Sequence, residues 1–137
     1  MTHTSHVALR WSDLDALGHV NNAVYLTLCE QGRIEAFEAL MPEGWAGAES
    51  PVLAAASVTF RRPILGTGTA AVATTFEPPG RTSVRTRFTV TLGGELRAEG
   101  EAVLVWIDVA SGRPVPVPDA LRAAIAAGSA AVGDALA

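Results

Sequence analysis

The chain has 137 residues, enough for one well-buried core and too few for two ordinary domains, so residues 1–137 read as a single domain. Apolar residues make up 49% and charged residues 18%, a globular rather than disordered composition, and a formal net charge of −4 gives no general attraction for nucleic acid. Met1 to His6 is polar without the apolar core of a signal peptide, and no run approaches ~18 apolar residues, so no membrane partner is expected and the expected location is cytoplasmic. The single cysteine, Cys29, cannot close an intramolecular disulfide, in keeping with a reducing compartment.

Val7, Ala8, Leu9, Arg10 and Trp11 alternate as a strand does. A dense polar turn follows, from Asp13 to Asn22, and then a helical pattern from Asn22 to Met41. On that helix Leu28, Ala39, Gly32, Tyr25, Ala36, Cys29 and Leu40 share one arc, continuing to Leu26 and Phe37, while Thr27, Gln31, Glu35 and Glu38 lie opposite. Gly32 and Ala36 at the centre of the arc let a sheet approach closely and partly wrap the helix. Asn21 or Asn22 caps its start, and Pro42 with Gly44 ends it.

Beyond Pro51 the period changes to two, with Val52, Ala54, Ala56, Val58 and Phe60 on one face until Pro63 interrupts. Thr69 to Phe76 reads as a strand, and Pro78, Pro79 and Gly80 form a turn before an alternating strand ending near Leu92. Gly93 and Gly94 signal a two-residue hairpin into a strand from about Leu96 to Ile107, in which Gly100 marks a bulge or bend. The last three strands are expected to form an antiparallel meander. Ser111 to Pro118 is a proline-rich loop, and Asp119 to Ala127 a short helix stopped by Gly128. One helix inserted after the first strand of an otherwise antiparallel sheet is an α+β arrangement with the sheet curled around the helix.

The polar turn carries the candidate chemistry. Asp15, just before a helix start, suits a nucleophile or a base for water, with helix N–H groups available to an oxyanion; a turn or capping aspartate is the competing reading. Asp13 reads as a residue that orients its neighbours. His19 suits substrate binding or water orientation, or a purely structural role. Gly18 supplies a positive φ or a close approach to a ligand, and Asn22 a backbone N–H at the helix N-terminus. Asn21 and Tyr25 divide between substrate contact and capping or packing. A calcium loop fails because Leu17 and Val24 stand where oxygen ligands belong, no G-x-S-x-G elbow is present, and Cys29 lies on the apolar helix face. Asp13, Asp15 and His19 lack a second ligand cluster for a metal. Arginines collect at Arg61, Arg62, Arg81, Arg85 and Arg87; of these, Arg81 with Thr82 and Ser83 follows a turn whose donors can hold a phosphate.

Residues Arg10 to Glu38, with the run R-W-S-D-L-D-A-L-G-H-V-N-N-A-V-Y and then E-Q-G-R, resemble the hot-dog-fold acyl-CoA thioesterases of the 4-hydroxybenzoyl-CoA thioesterase family. Val58 to Pro63 (V-T-F-R-R-P) and Gly112 to Pro118 (G-R-P-V-P-V-P) resemble two further motifs of that family. The resemblance implies a curled sheet of about five strands around one long helix, with a short C-terminal helix. It implies acyl-CoA hydrolysis, with Asp15 as the carboxylate, the Asn22 N–H polarising the thioester carbonyl and Gly18 in the active-site turn. His19 joins the catalytic group, while Asp13, Asn21, Tyr25, Arg62, Arg81, Thr82 and Ser83 are expected to bind substrate, the last three near the CoA phosphates. His19 and Asn21 stand where aromatic-CoA members carry apolar or aromatic residues. No metal or organic cofactor is expected, coenzyme A being part of the substrate. A homodimer or homotetramer with active sites at the subunit interface is also implied. Two other readings are hydration or dehydration of acyl thioesters, with His19 and Glu30 as the acid–base pair, and a non-catalytic acyl-CoA-binding module.

Overall fold

Alternating β-branched and small residues in the second half of the chain build a sheet, and the small-residue centre of the first helix lets that sheet close around it. In the computed structural model, which describes residues 2–44 and 47–136, the order is β1 (Thr2–Ala8), a 3₁₀ turn (Trp11–Asp13), α1 (Asn22–Leu40), β2 (Glu49–Phe60), β3 (Thr69–Phe76), β4 (Ser83–Leu92), β5 (Glu95–Asp108) and α2 (Asp119–Leu136). The strands form one antiparallel sheet in the order β1-β3-β4-β5-β2. The expected meander is β3-β4-β5, and its last hairpin turns on Gly93 and Gly94, both at positive φ (62° and 74°), as a primed turn requires.

Helix α1 lies on β1, β3 and β4. At Gly32 a Cβ would stand 2.6 Å from Val72 Cγ1, so only glycine allows this depth of seating. Around the first half of α1, Tyr25, Leu28 and Cys29 pack with Val72, Phe88 and Val90. Around the second half, Ala36 and Phe37 pack with Phe76, Trp106, Leu121 and Ile125, the Phe37 ring lying edge-on to Phe76 (5.0 Å) and Trp106 (5.8 Å).

Three expectations are corrected. The polar N-terminal residues belong to the sheet: β1 starts at Thr2 and pairs with β3 through Ala8↔Thr69, while Trp11 leaves the strand and is 82% exposed. The reason is composition, because an edge strand carries polar residues that read as a tail. Helix α2 continues through Gly128 to Leu136; a mid-helix glycine costs only about 1 kcal/mol, and alanines surround it in the sequence. Gly100 sits in register between Val58 and Phe88 rather than at a bulge, the irregularities falling at Leu53/Ala55 and Val90/Thr91. Its need is space, since a Cβ there would collide with the Ser57 carbonyl oxygen and come within 2.9 Å of the Phe88 ring. Strand β2 is a sheet edge, with Val52, Leu53 and Phe60 39%, 50% and 48% exposed, and it meets α1 through the Phe60 ring against Tyr25.

Because the Gly100 obstruction is partly backbone, Gly100→Ala is expected to lower unfolding free energy by about 1–3 kcal/mol, the range of core overpacking, as read by denaturant titration.

Candidate active site

Between β1 and α1 the backbone makes a small hairpin in which the two aspartates divide their work. Asp13 is buried, and its carboxylate accepts from the Arg10 backbone N–H (2.7 Å) and from Arg10 Nη2 (2.9 Å). These bonds hold the Asp13 carboxyl below the usual carboxylate range. The Asp13 carbonyl accepts from the Asn21 N–H (2.9 Å), which ties the start of α1 to the 3₁₀ turn. Asp13 therefore faces a cavity between β1 and α1, shared with His6, Arg10 and Gln31.

Asp15 opens the hairpin loop. Its N–H donates to the His19 carbonyl (2.7 Å), its own carbonyl accepts from the Gly18 N–H (3.0 Å), and Gly18 takes φ 74° to close the turn. No atom lies within 4 Å of a Cβ built on Gly18, so the backbone angle and not space demands glycine there. Asp15 Oδ1 accepts from the N–H groups of Leu17 (2.9 Å) and His19 (3.1 Å), leaving Oδ2 without a protein partner among the described residues.

The loop delivers the chain into α1. Asn21 is the N-cap, its side chain accepting from Ala23 N–H (2.9 Å) and its carbonyl from Val24 N–H (2.9 Å). Asn22, the first helical residue, keeps a backbone N–H with no acceptor among the described residues, at the positive end of the helix dipole.

Asp15, His19, Asn22 and Tyr25 come together around a cavity of about 350 Å³, completed by Leu17, Val20, Phe60, Arg61, Arg62 and Pro63. Tyr25 is buried with its ring edge-on to Phe60 (5.1 Å), and burial pushes its phenol up, opposed by the Ile64 backbone and the Arg97 charge. Arg97 holds the opposite wall: its carbonyl accepts from the N–H groups of Arg61 (2.8 Å) and Arg62 (3.1 Å), and its Nη1 donates to the Pro63 carbonyl (2.8 Å). Arg61 and Arg62 pair with Glu99 and Glu95. Among the described residues no group of three or more His, Cys, Asp or Glu side chains converges as a metal site.

Three predicted substrate contacts lie elsewhere in this subunit. Arg81 and Thr82 precede β4 and Ser83 opens it, whereas the cavity is near the other end of that strand, where Leu92 approaches Gly68 and Gly68 bonds to Leu9; about 30 Å of strand intervenes. There the turn is gripped by Arg122 of α2, which donates to the Pro79 and Gly80 carbonyls. Asn21 is used as a cap and Asp13 is turned to Arg10. Within this subunit Glu30 lines a different cavity from His19. Leu17 joins the site without a signal of its own in the sequence, whereas Phe60, Arg61 and Pro63 belong to the V-T-F-R-R-P run that carries the family resemblance but were not expected as site residues. Phe60 follows the strand pattern, and only its place at the uncovered edge puts it in the cavity wall.

This sheet and helix define the hot-dog class of folds. The chain belongs to the thioesterase-like superfamily, whose family model matches residues 9–125. Among solved structures it is similar to a thioesterase from Thermus thermophilus complexed with coenzyme A and zinc, at 40% identity over 89% of this chain and 95% of that one, with a TM-score of 0.77. It is also similar to the PA2801 protein of Pseudomonas aeruginosa, a candidate thioesterase, at 34% identity over 90% and 97% of the two chains and a TM-score of 0.82. A 1,4-dihydroxy-2-naphthoyl-CoA thioesterase from Synechocystis shares the fold at 18% identity, covering 92% of this chain and 96% of that one, with a TM-score of 0.81. A search of curated protein sequences finds no significant match. No helix among the described residues is long and apolar enough to cross a membrane.

The Asp13 carboxylate makes a testable contribution to stability. Its folded pKa lies below the unfolded value of about 3.9, so the contribution is fully present above that value and is lost as pH falls through the folded pKa. Asp13→Asn is expected to be less stable than the parent at pH 7, with the gap closing as thermal melts are taken to lower pH.

Proposed function

We propose that this single domain, residues 1–137, is an acyl-CoA thioesterase that releases free acid and CoA. The observation that carries the reading is the pairing, in one cavity, of Asp15 with an open Oδ2 and the Asn22 N–H with no internal acceptor among the described residues. The thioester carbonyl oxygen accepts from the Asn22 N–H, where the helix dipole favours the negative charge that develops on it. Asp15 acts either as a base that takes a proton from water or as a nucleophile whose acyl anhydride water then opens. In both routes one water is consumed, a C–O bond forms at the acyl carbon, the C–S bond breaks, and CoA leaves as a thiolate that is then protonated. The reading uses no metal or organic cofactor and puts the reaction in the cytoplasm. His19, with its backbone fixed by the loop, faces the reacting group as an orienting side chain.

The assembly belongs to the same proposal. A long, exposed edge strand with uncovered Val52, Leu53 and Phe60 is a surface that a second copy protects by pairing along β2, with two such dimers forming a tetramer. A two-fold axis across β2 sets the Glu49 end of one strand beside the Phe60 end of the other. That operation carries the Arg81–Ser83 turn of one subunit toward the cavity of its partner, where its donors can meet CoA phosphates.

Two substitutions test the chemistry in a thiol-release assay over a panel of acyl-CoAs. Asp15→Asn is expected to abolish measurable turnover. Asn22→Pro removes the N–H while suiting the first helical position, and Asn21 already has the extended geometry (φ −59°, ψ 137°) that a following proline requires. It is expected to keep the helical circular dichroism signal and lose about 10²–10³ in kcat. Full activity in either variant would sink the assignment. Light scattering is expected to give two or four times the 14.2 kDa chain mass, with specific activity falling on dilution into the monomer range.

A further inference from the structure

The seam between α1 and β2 holds another cavity that the hydrolytic chemistry leaves unused. It has a volume of about 380 Å³ and lies at the Ser50–Leu53 end of β2, whereas the Asp15 cavity lies at the Phe60 end of the same strand. Its walls are mostly apolar, with Ile34, Phe37, Pro51, Leu53 and Leu104. Into these walls the helix introduces Arg33, a residue only 6% exposed. Among the described residues its guanidinium makes one hydrogen bond, from Nη1 to Cys29 Sγ at 3.5 Å, and pairs with no carboxylate. A guanidinium removed from water with a thiol as its only partner is poorly compensated, because burial of a charge is tolerated when an opposite charge and full hydrogen bonding replace the lost water. Glu30 lies on the same cavity one turn back, but it is solvent-exposed and forms no ion pair with Arg33.

The position of Arg33 relative to the reacting centre follows from helix geometry. Asn22, Leu26, Cys29 and Arg33 occupy one stripe at i, i+4, i+7 and i+11. The Arg33 side chain leans toward the N-terminus, as its contact with Cys29 shows, so its guanidinium lies near the level of Cys29, about 10 Å along the axis from Asn22. Leu26, exposed on the same stripe, lies between the two.

We infer that Arg33 is a specificity-determining residue that receives the terminal carboxylate of an acyl chain lying along the α1–β2 seam, so that the substrates are ω-carboxyacyl thioesters of medium length. This rests on the thioesterase reading above. The planar fork of the guanidinium matches a carboxylate in two parallel hydrogen bonds, and the apolar walls exclude the water that would otherwise compete.

The purified full chain is assayed by thiol release on adipoyl- and suberoyl-CoA against hexanoyl- and octanoyl-CoA. The parent is expected to favour the ω-carboxy member of each pair in kcat/KM by about tenfold to hundredfold, the worth of a charge-assisted hydrogen bond. Arg33→Met is expected to erase that preference while leaving the neutral thioesters within about twofold, and Arg33→Lys to keep part of it. Equal or better hydrolysis of the neutral thioesters by the parent overturns the inference and leaves the thioesterase reading standing, a result that needs no variant to fold. An equal loss on both substrate types in folded Arg33→Met also overturns it, since that is what a structural arginine gives. If no thioester is turned over, the thioesterase reading fails. The carboxylate site is then decided by thermal melts with suberate: an upward shift in the parent that is absent in Arg33→Met supports it, and no shift overturns it.

Discussion

The close seating of α1 on β3 at Gly32 is the constraint on which the rest of this fold depends. A side chain there would meet the Val72 methyl at less than van der Waals distance, so a larger residue would lift the helix from the sheet. With the helix this deep, β1, β3 and β4 curve around it and Phe37 reaches Phe76 and Trp106 in a single aromatic cluster. At the edge of the sheet β2 meets the helix only in part, Phe60 against Tyr25, while Val52 and Leu53 stay exposed.

Seating the helix also fixes where its N-terminus emerges. The backbone bonds from Asn21 to Asp13 and from Val20 to Ile64 pin the entry of α1 between the 3₁₀ turn and the segment before β3. Asp13 is used up in that work, its charge matched by Arg10. Asp15, two residues on, has one oxygen anchored by backbone N–H groups and one left open, which is the arrangement a reacting carboxylate needs: a fixed position with an unspent lone pair.

The uncovered edge gives the protein its two unusual surfaces. Along β2, apolar side chains that would be core in a sheet covered on both sides are presented to solvent. In the seam beneath it, a buried arginine faces an apolar cavity without a carboxylate partner among the described residues. Both follow from an edge that one copy of the chain leaves open.

Much of this was legible in the sequence because it depends on local chemistry. Gly18 at the turn, Asn21 as cap, Gly93 and Gly94 in the hairpin, and the Gly32–Ala36 stripe all express backbone or helical rules that act over a few residues. The motif around Asp15 lies within one turn, so its members were visible as neighbours before they were placed in space. What tertiary structure alone decided was which faces are covered. The alternation in β2 looks like that of a half-buried strand, yet strand order puts it at an edge, and no local pattern encodes strand order. Arg33 belongs to the E-Q-G-R run, but its burial depends on how the sheet curls around the helix, which no local pattern encodes. Arg81 to Ser83 likewise read as part of the site by motif, while the direction of β4 carries them to the far end of the sheet, since pairing partners distant in sequence set that direction.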